Sequence, residues 1–110
     1  LPRDGMAAVM AVRDSGGFAV RVSDDEILQA IPKIARGSNV FAEPAASATY
    51  AGLLKAVKEG RVKDNESVVL LISGNGLKDI QSAMKSVGKP YVIKPELPEL
   101  KKLVADQKLA

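Results

Sequence analysis

The residues best suited to chemistry directly follow the most apolar run of the chain. Val68–Ile72 is an unbroken apolar stretch, and Ser73-Gly74-Asn75-Gly76-Leu77-Lys78-Asp79 comes next. A run without alternation is typical of a parallel strand that is covered on both faces. Ligands of open α/β sheets bind beyond the carboxyl ends of such strands. We therefore expect the Ser73 hydroxyl to point into a crevice, beside glycines that let a ligand approach the backbone.

This turn does not match the common phosphate-binding motifs. A P-loop needs Lys directly after its second glycine, and GxGxxG needs a third glycine, and the turn has neither. Successive backbone N–H groups can still form an anion-binding nest here. A strand-to-helix turn with purely structural glycines fits the same residues, so both interpretations stay open.

Charged residues near helix starts are equally ambiguous. Glu43 precedes Pro44 and a helical pattern, so its carboxylate fits either a ligand contact or a simple helix cap. Lys78 and Asp79 fit solvated charges or capping partners. None of these residues identifies a function by itself.

Composition excludes several classes of protein. The 110 residues include no Cys and no His, which removes disulfides, zinc clusters, thiol nucleophiles and the commonest general base. We expect no metal site. The net charge of +3 is spread along the chain, so neither nucleic acid nor a membrane is an expected partner. The opening Leu-Pro-Arg-Asp lacks Met and any signal-peptide pattern. We expect a cytoplasmic segment of a larger protein.

Hydrophobic periodicity predicts alternating helices and strands. Ser23-Asp24-Asp25-Glu26 is a capping box that begins a helix, which we expect Pro32 to kink or shorten and Gly37 to end. A later helix over 77–87 should bury its apolar side chains. Further helices are predicted over 4–15, between Pro44 and Gly60, and after residue 97. Strands are predicted over 18–22, 40–41, 68–72 and 91–93. The prediction is a single α/β unit over residues 1–110, with a layered, mostly parallel sheet flanked by helices.

Four blocks follow one another along the chain: Ala19–Leu28, Val40–Ala48, Ala51–Lys55 and Ser73–Asp79. In this order they resemble the C-terminal part of the threonine synthase family, whose members are pyridoxal-phosphate (PLP) enzymes of the tryptophan-synthase-β-like fold. The resemblance implies a lyase that converts O-phosphohomoserine and water to threonine and phosphate, in threonine biosynthesis, and we expect a homodimer. The first two blocks are shared with related dehydratases, whereas Gly74-Asn75-Gly76-Leu77-Lys78-Asp79 favours threonine synthase.

The resemblance also assigns cofactor-binding residues. It places Ser73 against the pyridine nitrogen of PLP, where many members of the family have Thr. A neutral hydroxyl does not force that nitrogen to stay protonated, as a carboxylate would. Gly74, Asn75 and Gly76 would form the wall beside the ring, and Glu43 would lie near the edge of the ring.

The lysine that binds PLP covalently in this family, and the loop that holds the cofactor phosphate, have no counterpart here. No catalytic residue is therefore expected within these 110 residues, and we expect this chain alone to be inactive. Two alternatives remain: a threonine or serine dehydratase of the same fold, and a non-enzymatic α/β module that binds an anion or a partner, including an autonomous dimerisation unit.

Overall fold

The computed structural model describes residues 4–107 and is dominated by helices. A short 3₁₀ turn, Gly76–Asp79, leads directly into the fourth helix. No helix in this part of the chain is both long and apolar enough to cross a membrane. The five helices are α1 (Gly5–Asp14), α2 (Asp24–Ser38), α3 (Pro44–Lys58), α4 (Ile80–Val87) and α5 (Leu97–Gln107).

The capping box at the start of α2 is confirmed. The Ser23 N–H donates to Glu26 Oε2 over 2.6 Å, and the Glu26 N–H donates back to Ser23 Oγ over 3.3 Å. These reciprocal bonds satisfy donors that a helix start leaves without partners. The backbone bond from Ser23 is the main reason that the pKa of Glu26 lies below its usual range, and the Ser23 hydroxyl adds to the effect.

The end of α2 differs from the prediction. The helix continues through Pro32 and past Gly37 to Ser38, where Asn39 adopts a left-handed conformation with φ 58°. Proline removes one hydrogen bond from a helix interior. Ile31 and Ile34, on either side of Pro32, are both buried, and their burial offsets that loss. Asn is one of the few residues other than glycine that accepts the left-handed conformation, which explains why it ends this helix.

A small core joins the start of α3 to the end of the apolar run. Ile34 of α2, Ala42 and Ala46 are buried together, and the half-buried Tyr50 and Ile72 pack against them. Ile72 immediately precedes Ser73, so this cluster fixes the position of the turn relative to the helices. Gly60, with φ 70°, lies just beyond the end of α3, as predicted.

The predicted sheet is not formed within residues 4–107. The segments 18–22, 68–72 and 91–93 carry no strand. Within the described residues, β-pairing is limited to one antiparallel bridge, between Ala42 and Asn75. A strand exists through hydrogen bonds to a neighbour, which local sequence does not supply. Val69 and Leu71 are 92% and 76% exposed, so the apolar run keeps one uncovered face.

The fourth helix is also less buried than its sequence predicts. Leu77 of the 3₁₀ turn and Ile80, Met84 and Val87 of α4 are 57–69% exposed, although α4 lies against α2 and the 3₁₀ turn. The radius of gyration is 18.3 Å, against about 13 Å for a compact domain of this length. Apolar periodicity therefore predicts the helix correctly, but the described residues do not bury its apolar face.

The capping box gives a pH-dependent prediction. Because folding lowers the pKa of Glu26, its contribution to stability is complete above the unfolded pKa of about 4.3 and is lost as pH falls through the lower folded value. Ser23→Ala removes the hydroxyl bond to Glu26 Oε2 and keeps the backbone N–H, so it should raise the pKa of Glu26 part of the way toward its usual range, as measured by NMR titration of the carboxyl group. The control Ser67→Ala, at an exposed loop position, should leave that titration unchanged; an unshifted Glu26 in Ser23→Ala would contradict this explanation.

Candidate functional site

Two backbone hydrogen bonds fasten the turn at 73–76 to residues 41–43. The Glu43 N–H donates to the Gly74 carbonyl, and the Gly76 N–H donates to the Phe41 carbonyl, each over 2.9 Å. The bridged pair Ala42 and Asn75 lies between these bonds, and Ala42 is completely buried. Glu43 and the glycine turn, which lie far apart in the sequence, are therefore brought together.

The polar side chains after the turn start the next helix. Asn75 Oδ1 accepts the Leu77 N–H over 2.9 Å, which begins the 3₁₀ turn. Asp79 Oδ1 then accepts the Ser82 N–H over 3.0 Å and caps α4. This backbone bond, reinforced by the Ser82 hydroxyl, holds the pKa of Asp79 below its usual range. Of the two roles considered for Asp79, the structure shows the capping role.

Both glycines of the turn have a packing reason. A Cβ atom at Gly74 would overlap the Glu43 carboxylate, and a Cβ atom at Gly76 would overlap the Phe41 ring. The space that a side chain would need at these positions is thus filled by other residues of the chain. The structural interpretation of the two glycines is confirmed in this respect.

Glu43 does not cap α3, although it occupies the N-cap position. Its side chain makes no capping hydrogen bond and instead forms an ion pair with Lys78, whose Nζ lies 2.9 Å from Glu43 Oε2. The Glu43 side chain is 12% exposed and that of Lys78 is 66% exposed. The sequence gives no sign of this pair, because the two residues lie far apart in the chain and each has a plausible local role.

Ser73 ends the extended run with an exposed side chain. It lines an open depression of about 430 Å³, whose walls are residues 39–41 and 72–75. Gly74 and Asn75 share this depression with it, whereas Gly76 is buried and Glu43 lies outside the lining. Val40 and Phe41 supply apolar walls that the sequence pattern did not indicate. The depression thus combines a hydroxyl at the end of an extended segment with apolar and aromatic surface.

A larger depression, of about 570 Å³, lies elsewhere between α2 and α3. Its rim carries charges of both signs, including Glu26, Lys33 and Lys58, on side chains of two helices. Such a lining is typical of a solvated groove between packed helices. Ser73, Gly74 and Asn75, to which the sequence analysis assigns cofactor binding, line the smaller depression. No metal-binding cluster of acidic residues occurs in the described part of the chain.

Comparison with known protein families shows the family to which the chain belongs. A family model described as pyridoxal-phosphate dependent enzyme matches residues 1–74. The chain belongs to this family. The match includes Glu43 and Ser73 and ends inside the turn, at Gly74.

Curated relatives of this PLP-family chain are similar to it over most of its length. A protein named threonine synthase from Methanocaldococcus jannaschii is 34% identical over 105 residues, or 96% of the chain. Threonine synthases from Mycobacterium bovis and Methanosarcina acetivorans are 44% and 35% identical over 78% and 94% of the chain. The chain spans about a quarter of the length of these relatives.

The depression suits the ring of the family's cofactor. The Ser73 side chain is exposed, so its hydroxyl is available to donate to a ring nitrogen. Val40, Phe41 and Ile72 offer surface that matches the apolar body of an aromatic ring. The polar groups of the lining are the Ser73 hydroxyl, the side-chain amides of Asn39 and Asn75 and backbone groups, and the described residues place no carboxylate there.

Substitutions at the glycines test the packing of the turn. Gly76→Ala should lower the free energy of unfolding by about 1–3 kcal/mol, because a methyl group overlaps the Phe41 ring. Gly74→Ala should cost less than Gly76→Ala, because the group it overlaps is the movable end of the Glu43 side chain. Gly52→Ala is the matched control: its Cβ meets nothing within 4 Å in α3, so it should stabilise by roughly 0.5–1 kcal/mol. Urea denaturation measures the free energy of unfolding of all three variants. If alanine in the turn costs no more stability than alanine at Gly52, the packing described here is wrong.

Proposed function

We propose that this chain is the C-terminal part of a threonine synthase, a PLP-dependent lyase that converts O-phosphohomoserine and water to threonine and phosphate. The observation that carries the proposal is the exposed Ser73 hydroxyl in a depression of mixed polar and apolar lining, on a chain whose curated relatives are threonine synthases. We also propose that the complete protein is a cytoplasmic homodimer. Its site would take a small phosphorylated amino acid and no nucleic acid.

Ser73 is the proposed partner of the pyridine nitrogen. PLP, when bound, supplies an electron sink that stabilises negative charge on the substrate carbons. A hydroxyl donates one hydrogen bond to the nitrogen and leaves it neutral, which moderates that sink, whereas a carboxylate would favour its protonated form. The proposed role of Ser73 is thus to orient the ring and to set its electron demand.

The remaining site residues would shape the wall beside the ring. Gly74 and Asn75 border the same depression as Ser73, so a flat ring placed there would face their backbone. Gly76 lies beneath this wall, held by the Phe41 carbonyl. We propose that Glu43 acts near the edge of the ring through its packing on Gly74 and without lining the depression itself.

We further propose that the extended segments pair with strands supplied by the rest of the protein. Phe18, Val20, Val68 and Leu70 line one depression together with residues of α3. Backbone hydrogen bonds to neighbouring strands hold a parallel sheet together. Strands elsewhere in the complete protein would form these hydrogen bonds with the two segments. Since the lysine that holds PLP in this family has no counterpart here, this chain would supply one wall of the active site and be inactive alone.

Ser73 gives the first functional test. In the complete protein, Ser73→Ala should raise the dissociation constant of PLP about tenfold, as expected for one lost hydrogen bond of roughly 1–1.5 kcal/mol, and should lower activity. Ser73→Thr keeps the hydroxyl and should bind PLP within about threefold of the unchanged protein. Cofactor titration monitored by absorbance measures both variants; equal affinity in Ser73→Ala and the unchanged protein would contradict the role of Ser73.

Substrate choice separates the synthase from a dehydratase of the same family. The complete protein should release phosphate and form threonine when it is given O-phosphohomoserine, and should form little 2-oxobutyrate from threonine. Inorganic phosphate and 2-oxo acid assays in parallel measure the two reactions. Rapid 2-oxobutyrate formation without phosphate release would replace the proposed reaction with dehydration.

A further inference from the structure

We infer that Lys78 is a positioning residue: it holds the Glu43 carboxylate against Gly74 and thereby fixes the turn that presents Ser73 to the cofactor. This inference rests on the proposed function. It concerns a residue whose sequence context fits only a solvated charge or a capping partner. Three features of Glu43 support it, namely the direction of its side chain, its burial and its packing on the glycine turn.

The Glu43 carboxylate lies away from the place that local structure favours. It belongs to the residue just before α3, where free backbone N–H groups and the helix dipole attract a carboxylate. The structure shows no capping bond from this side chain, which turns instead toward the glycine turn. A competing positive charge explains this choice, and Lys78 Nζ lies 2.9 Å from Glu43 Oε2.

The burial of the two side chains is unequal. Glu43 is 12% exposed, and Lys78 reaches it from the surface with 66% of its own side chain exposed. A nearly buried carboxylate that loses its partner is strongly destabilised, so it moves until it finds another donor or water. The donors nearest in sequence are those of the α3 terminus, which lead the carboxylate away from Gly74.

Movement of the carboxylate would loosen the turn next to Ser73. In the structure the Glu43 carboxylate fills the space beside Gly74, on the face where a Cβ atom would lie. Without that packing, the two backbone bonds, the Phe41 ring beside Gly76 and Ile72 in the core still tie the turn, but the space beside Gly74 is left empty. Ser73 is bonded directly to Gly74, so its hydroxyl would lose a fixed direction toward the ring.

The test uses the complete natural protein and PLP as the probe. Lys78→Met removes the charge and keeps the length of the side chain, Lys78→Arg keeps the charge, and Lys89→Met removes an exposed charge elsewhere. We expect the dissociation constant of PLP to rise roughly tenfold in Lys78→Met, with a shifted absorption maximum of the bound cofactor. Lys78→Arg and Lys89→Met should both stay within about twofold of the unchanged protein.

Glu43→Gln shows whether Lys78 acts through Glu43. A neutral amide needs no positive partner, so Lys78→Met should have no further effect on PLP affinity when it is added to Glu43→Gln. This comparison remains decisive if Lys78→Met alone fails to fold. The inference is overturned if Lys78→Met binds PLP like Lys89→Met, or if it weakens binding equally with and without Glu43→Gln.

The outcomes also separate this inference from the proposed function. If Ser73→Ala weakens PLP binding but Lys78→Met does not, the cofactor site stands and the role of Lys78 is wrong. If Ser73→Ala leaves PLP binding unchanged, the proposed site itself fails. If Lys78→Met weakens binding while Lys78→Arg restores it, the positive charge at this position is what the site requires.

Discussion

The two backbone hydrogen bonds between residues 41–43 and 74–76 determine how the candidate site is built. They join segments that α3 and a long connection separate, and they do so immediately before both α3 and the 3₁₀ turn begin. The start of each helix is therefore fixed relative to the other. Ser73 precedes this junction by one residue, which places its hydroxyl at the rim of the depression.

The junction needs small residues on both sides. Ala42 is completely buried between the two bonds, and Gly74 and Gly76 leave room for Glu43 and Phe41. A larger residue at any of these positions would separate the segments. The same closeness lets a surface lysine reach a nearly buried carboxylate.

Local signals predicted the helices well, because helix starts and ends are set by neighbouring residues. The Ser23 and Glu26 capping box and the glycine after α3 are examples. The end of α2 was misplaced at Gly37, since Asn39 also accepts the left-handed conformation. Extended segments were predicted from their apolar and β-branched residues, but sheet formation depends on partner strands, which the pattern of one segment does not contain.

The site was predictable in part for the same reason. The position of Ser73 is set by an apolar run that ends in a glycine turn, a pattern contained in a few consecutive residues. The role of Glu43 cannot be predicted in this way, because a carboxylate before a helix is already explained as a helix cap. The lysine that draws the carboxylate away from the capping position lies 35 positions further along the chain. Long-range ion pairs of this kind leave no local pattern.

Amide hydrogen exchange of the complete protein, with and without PLP, tests most directly whether this turn is a wall of the cofactor site. If it is, removing PLP should speed exchange at residues 73–76 and reloading PLP should restore protection, while the start of α2, at residues 24–27, exchanges at the same rate in both states. Equal exchange at 73–76 with and without the cofactor would contradict the central claim.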